Sequence, residues 1–490
     1  MDFNLFASPV AFLESKLGSL AQVSPLKELE QWWLGTGREV SAAVDRAGTP
    51  WLRMYDRFGT RVDEILLPPA YWEMLHRGYK AGAVWRAFAD NSLLTPYQIG
   101  YVTSFFDPGL YCPYIVSLST AVPLSKYGEP AVRERFLPHL LQRDDGVWQG
   151  ATWMTEAGGG SDLGAHVLTV ARRAGEAWKL NGEKFFASNA GADVAIVAAR
   201  PEDAPSGVRG LALFLVPRWR ADGTLNYFIR RLKDKTGTRS VPTGEVELHD
   251  SEAYLLGEAG QGVYLILEAL NLSRVGNCMG SVALAQRALA EAWHFAERRN
   301  AFGRPIAEHP LLRRQFEERA LLLDQCFGLA WEAVLLLNEC WQERPRYTDR
   351  YHLFRLIAHL AKYYTAEVAA QMAKWTMEVH GGMGILAEFP VERLLREAMI
   401  LPIWEGTPQR QILDGMEVLV RKGAHNLLSD YLAELGAAPA GIAELSAGVG
   451  EWLAKEPTAR EAESEAPFRT LAERTAAILA RVREERRISR

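Results

Sequence analysis

The hydrophobic period changes twice along this chain, and that change limits the fold more than any single motif. Up to about residue 148, "PPAYWEMLHRGYKAGAVWRAF" and "EPAVRERFLPHLLQ" carry apolar residues at the three- and four-residue spacing of amphipathic helices. Between them "GLYCPYIVSLSTAVPL" is apolar almost all round, the pattern of a buried helix. Around Val147 the texture turns to short β-branched and aromatic runs: "HVLTVARR", "AWKLNG", "EKFFAS", "DVAIVAA", "GLALFLVP" and "GEVELHD". The Asn181-Gly182 pair predicts a hairpin turn between two of them. No proline occurs between Pro242 and Pro305, so the segment from Gly262 to Arg299 can form one long helix. Helical stretches from Pro310, Arg350 and Thr407 complete a four-helix bundle. The last 60 or so residues are Ala- and Glu-rich, with "GAAPAG" and "AKEPTAREAESEAP" expected as loops around short helices. The expected class is therefore α+β. An N-terminal helical domain (1–148) precedes a middle antiparallel β domain (149–258), a helical bundle (259–425) and a helical extension (426–490).

Global properties exclude some partners. The formal charge of −5 over 490 residues offers no general attraction to nucleic acid or anionic lipid. Residues 426–490 hold nine Lys/Arg and eleven Asp/Glu, so only the closing "RVREERRISR" is locally basic, and DNA binding is not expected. The four cysteines are widely spaced, with no CxxC pair, which suits reduced core thiols and no metal site. The N-terminal segment lacks a basic and then apolar leader pattern, so a cytoplasmic location is expected. No run of about 18 or more apolar residues stands out, and no membrane span is expected.

Two stretches invite chemistry. "MTEAGGGSD" at Met154–Asp162 is glycine-rich, but strand-like residues flank it on both sides, so it is not a dinucleotide-binding turn between a strand and a helix. In "MILPIWEGTPQRQ" an apolar run ends on Glu405, placed between a tryptophan and a turn where it loses hydration. Taken alone, Glu405 reads equally as a helix cap or a paired core acid.

Five stretches occur in the order and spacing of the acyl-CoA dehydrogenase family: "MTEAGGGSD", "NGEKFFASNAGAD", "RRNAFGRPI", "EVHGGMG" and "FPVERLLREAMILPIWEGT". The resemblance covers roughly residues 40–425. "WLRMYDRFGTRVD", "RLKDKTGTRSVPTGEVELHD" and Pro310 are similar to its AidB-like branch. It implies a helical domain, a β-barrel-like middle domain and a helical bundle that bind FAD between subunits of a dimer or tetramer. It implies that Met154 and Thr155 contact the isoalloxazine edge, that Ser161 lies at cofactor or substrate, and that Ser188 lies near flavin N5. Phe186 stands where most members have a tryptophan against the ring. Arg299 and Phe302 match residues reaching the neighbouring subunit's FAD, and Gly381, Gly382 and Gly384 match the loop at its adenosine. Glu378 replaces the family glutamine before that loop. Thr407 and Gln409 match further FAD contacts, and Arg274 matches the arginine lining the acyl-CoA site. Glu405 matches the base that removes the proton α to a thioester carbonyl, for which a carboxylate pKa raised in a dry cleft is suited. The alternative position for that base is Ser273, which cannot serve.

The implied activity is oxidation of an acyl-CoA to an enoyl-CoA, with an electron-transfer flavoprotein as the candidate acceptor. Two other readings remain open: an AidB-like alkylation-stress flavoprotein that binds DNA or another macromolecule, and a flavin oxidase acting on a non-CoA substrate.

Overall fold

The computed structural model describes residues 3–175, 177–343 and 347–488, and the chain packs as two compact units. The side chains of Arg486, Arg487 and Arg490, in the basic run at the end, lie outside the described residues.

One unit comprises Gln22–Ser273. Its helices are built around Pro108–Tyr127, which is buried along nearly its whole length despite two internal prolines. Asp107 caps it, accepting from Leu110 N at 3.0 Å and from the Ser41 hydroxyl at 2.7 Å. The all-round apolar pattern is the sequence counterpart of this burial. A short hairpin of β1 (Trp51–Tyr55) and β2 (Arg61–Leu66) interrupts the helices; the helical period gave no sign of it.

Seven further strands follow: β3 (Gly150–Trp153), β4 (Val170–Ala174), β5 (Ala177–Ser188), β6 (Val194–Pro201), β7 (Ala212–Pro217), β8 (Phe228–Leu232) and β9 (Thr243–Leu256). The order β6-β4-β5-β9-β7 closes on itself because β7 also pairs with β6; β3 lies on β6 and β8 on β9. Most pairings are antiparallel, while β3 and β4 run parallel to β6. Inward side chains alternate along the strands, and Trp153, Leu180, Val197, Phe214, Tyr227 and Val246 fill the interior.

The Asn181-Gly182 pair does not turn the chain. β5 runs straight through it, and the hairpin turns instead at Gly175, with Ala174 opposite Ala177. Gly182 has φ +152°, the β5–β9 register shifts there, and a Cβ would lie 2.7 Å from Thr169 Cα. The glycine serves a bulge and a close backbone approach, which its dipeptide context does not distinguish from a turn.

The second unit comprises the first 21 residues and Arg274–Arg490. Phe3 stacks on Trp293 at 4.2 Å, and Gln286 donates to the Phe6 carbonyl at 2.9 Å, so the N-terminal segment packs on the bundle. The long helix is observed as Gly262–Arg298, followed by helices Pro310–Cys340, Asp349–His380 and Pro408–Lys422. Among the described residues Pro310–Cys340 is long and apolar enough to cross a membrane, contrary to the reading that no such run exists. Most of its apolar stretch is buried against neighbouring helices, which makes it a core helix. The extension is also more helical than expected. "AKEPTAREAESEAP" contains the helix Pro457–Ala462, and a 24-residue helix, Glu465–Ile488, packs along Pro310–Cys340 and Asp349–His380. Arg483 reaches the buried Glu332 at 2.5 Å.

A buried ion pair fixes the glycine-rich loop in the first unit. Lys184 Nζ, on β5, donates to Glu156 at 2.6 Å and to the Ala198 carbonyl at 2.7 Å, with both side chains inaccessible or nearly so. Glu156 also accepts from Leu168 N, Thr169 N and the Thr169 hydroxyl. Lys184→Met should cost about 3–5 kcal/mol in denaturant unfolding, because it strands a buried carboxylate. Adding Glu156→Gln should recover much of that loss, whereas two additive losses would show that the pair is not coupled.

Candidate active site

Glu405 lies on an irregular segment between the helices Pro390–Ala398 and Pro408–Lys422. Its φ of +59° is left-handed, an uncommon conformation for a glutamate. Non-helical backbone inside a protein must find partners for its carbonyls, and here side chains of three helices supply them. Asn277 Nδ2 donates to Leu401 O at 3.0 Å. Lys362 Nζ donates to Pro402 O at 2.7 Å and Gly406 O at 2.6 Å. Gln411 Nε2 donates to the carbonyls of both Glu405 and Gly406 at 3.0 Å, while its Oε1 lies 2.9 Å from His359 Nδ1. The turn is thus gripped from the long helix, from Asp349–His380 and from the helix that follows it.

Charge converges on the same place. Arg274 is buried, and burial pushes its guanidinium pKa down while Asp414 and Glu405 pull it up. Burial and the Arg274 charge push the Lys362 ammonium down to about 7, against the pull of Glu405. Burial, with Arg274 adding to it, lowers His359 to about 3 and keeps the imidazole neutral at ordinary pH. Asp414 is held below the usual carboxylate range: burial pushes it up, but Arg410, His359 and Arg274 outweigh that. Asn277, His359, Lys362 and Gln411 were not singled out in the sequence. The available signal was a histidine and a lysine three residues apart within the apolar run "LIAHLAKYY".

The other expected residues fall into two groups. In the unit of the β domain, Met154 is buried at the end of β3, and Thr155 O accepts from Phe185 N at 3.0 Å. Ser188 O accepts from Trp153 Nε1 at 2.9 Å, so the start of the glycine-rich loop abuts the end of β5. Phe186 is 54% exposed, and Ser161 is exposed on the loop. That loop is followed by one helical turn, Leu163–His166, before β4, and not directly by a strand.

In the unit of the bundle, Arg299 follows the last residue of the long helix, and Phe302 sits 97% exposed with φ +51° at the tip of the hairpin Asn300–Ala301/Arg304–Pro305. Phe295, whose carbonyl accepts from Arg299 N, stacks on His380 at 4.2 Å, which brings the end of the long helix against the residue that precedes Gly381. Gly384 admits no side chain, since a Cβ would meet Met377 O at 2.5 Å. Glu378 is exposed and paired with Lys374. Thr407 precedes the first turn of Pro408–Lys422, and its carbonyl accepts from Gln411 N at 3.0 Å, while Gln409 is exposed.

Comparison with known proteins agrees with this layout. Residues 151–251 match the acyl-CoA dehydrogenase middle domain, and residues 260–420 match the acyl-CoA dehydrogenase C-terminal domain. The human mitochondrial short-chain specific acyl-CoA dehydrogenase is 31% identical over 294 residues, 59% of this chain and 67% of the relative. The chain belongs to the acyl-CoA dehydrogenase family, FAD-binding oxidoreductases that act on CH–CH bonds. Residues 1–145 match the N-terminal domain of the adaptive response protein AidB, which points to the AidB branch of that family. Escherichia coli AidB is 29% identical over 420 residues, 82% of this chain and 75% of that protein. The solved apo form of Bd2924 superposes with a TM-score of 0.86 at 27% identity, covering 99% of this chain and 98% of the other. Caenorhabditis elegans ACDH-11, solved in complex with C11-CoA, shares the fold with a TM-score of 0.87 at 23% identity, covering 97% of this chain and 87% of that one.

Because His359 is neutral when folded, the unfolded chain takes up a proton as pH falls through 6.5 and the folded chain does not until about 3. Stability should therefore fall with decreasing pH in that window, by up to about 1.4 kcal/mol per unit from this one group. His359→Gln should flatten the slope of unfolding free energy between pH 6.5 and 5; an unchanged slope would mean that the ring already carries its proton in the fold.

Proposed function

We propose that this chain oxidises an acyl-CoA thioester to its α,β-enoyl form, with Glu405 as the base that removes the α-proton. The observation that carries this reading is the Glu405 turn itself: a left-handed glutamate whose backbone is held by buried donors within electrostatic reach of buried Arg274. Strained backbone that the surroundings over-determine is characteristic of functional positions. A capping glutamate needs no such support, and Glu405 precedes Thr407, the residue that opens the next helix.

The residues present fit a flavin dinucleotide. Gly381 and Gly382 have open space where a Cβ would stand, and Phe302 and Phe186 offer exposed aromatic faces. Met154, Thr155, Phe186 and Ser188 would hold the isoalloxazine. Arg299, Phe302, Gly381, Gly382, Thr407 and Gln409 would hold the remainder, the first four serving a neighbouring copy in a homo-oligomer. Bound FAD supplies the hydride acceptor. An arginine fork suits pyrophosphate, and the carboxylate of Glu405 accepts the α-proton while Arg274 lines the thioester side of the cleft. The extension supports an enzyme reading over a nucleic-acid grip, because Phe468, Leu471 and Leu479 turn its apolar face into the bundle.

Two outcomes test this. Glu405→Gln should retain FAD and fold, while anaerobic flavin reduction by the best acyl-CoA slows by about 10²–10⁴-fold. Reduction at the wild-type rate would show that Glu405 is not the base. Arg299→Ala should weaken FAD binding by about 1.5–3 kcal/mol, the loss of a charge-assisted contact, and a monomer that keeps FAD tightly would contradict the shared site.

A further inference from the structure

We infer that Lys362 is a positioning residue for the reaction: its ammonium clamps the two ends of the Glu405 turn and so sets where the carboxylate points. The inference rests on Glu405 as the base and adds a residue to that site. Lys362 is 1% exposed in the buried middle of the helix Asp349–His380, where Leu360, Ala361 and Ala366 are buried along with the polar His359 and Thr365. A lysine there loses its hydration, a cost that needs compensating bonds. Its compensation is specific: Pro402 O at 2.7 Å and Gly406 O at 2.6 Å, carbonyls on either side of Ile403, Trp404 and Glu405. A structural lysine with no role toward the turn would be satisfied equally well by carbonyls of its own helix end or by a single carboxylate.

The clamp has a second arm. Gln411 grips Gly406 O and Glu405 O at one end of the turn, Asn277 grips Leu401 O at the other, and Lys362 ties the two ends to each other. Backbone bonds within the turn are short-range: Ile403 N and Trp404 N both reach only Ile400 O. They cannot by themselves hold Glu405 at φ +59°. Burial and the charge of Arg274, which faces Lys362 from the long helix, push the amine down to about 7, against the pull of Cys278 on the same helix, Glu405 in the turn and Glu367 on its own helix.

The test compares Lys362→Met, Lys362→Gln and, as a core lesion on the same helix, Ile357→Ala, all in the FAD-loaded full chain. Hydrogen exchange of the amides of residues 399–401, 403 and 404 is read without substrate. Flavin reduction is then read anaerobically with butyryl-, octanoyl- and palmitoyl-CoA. Lys362→Met should speed exchange of those amides by about tenfold relative to Ile357→Ala, because the turn opens locally. With the acyl-CoA that wild type prefers, its limiting reduction rate should fall by about 10- to 100-fold while half-saturation moves little, as expected for a misplaced but intact base. Lys362→Gln, which keeps a neutral donor, should lie between, and it decides the question if the methionine variant does not fold. Exchange of those amides no faster than in Ile357→Ala, or a wild-type limiting rate in Lys362→Met, would overturn the inference. Normal reduction by Glu405→Gln alongside fast exchange in Lys362→Met would remove the base and leave the clamp, so the two failures are distinguishable.

Discussion

The carbonyls of the segment around residues 401–406 are the constraint on which the rest of the site depends. They cannot be satisfied by helix geometry, because the chain must leave the helix to present Glu405, and they are not left to solvent. Side chains from three helices reach in to bond them. Each of those helices must then lie at one depth relative to the turn, so the hydrogen bonds tie the packing of the bundle to the direction of one carboxylate. Arg274, His359 and Asp414 share the same interior, and the polarity buried there is tolerated because Arg274 and Asp414 carry opposite charges, Arg410 donates to Asp414, and Gln411 bonds the His359 ring.

Architecture was legible in the periods; detail at bends was not. The switch from helical spacing to short β-branched runs and back appears in the observed order, with helices to Leu140, strands from Gly150 to Leu256 and helices from Gly262. Asn181-Gly182 failed as a turn because the same glycine answers two needs, a tight turn and a close approach, and only the position of Thr169 separates them. The β1–β2 hairpin was missed since its residues alternate over too few positions to stand out from a helical background. Packing of the first residues on Trp293 and Gln286 has no local signature at all.

Of the candidate site, Glu405 and the glycine positions stood out because they lie in contiguous motifs, and Arg274 through the family resemblance alone. Lys362 and Gln411 did not, for a physical reason. Their contribution is a bond to main-chain atoms some 40 or five residues away, and a carbonyl leaves no residue-type mark for a motif to record. Phe186 was marked in sequence as an exchanged aromatic, and its exposure shows that the position keeps an accessible ring.

The helix Glu465–Ile488 has a consequence for the life of the chain. It covers Pro310–Cys340, where Gly328 lies 3.4 Å from Ala480 N as measured to an added Cβ, and it brings Arg483 to Glu332. On the ribosome the covered helix emerges some 140 residues before its cover, so for that interval an apolar stripe and a carboxylate destined for burial face the solvent together. That stripe is therefore broken by the Glu332 carboxylate until the cover arrives and brings Arg483 to it.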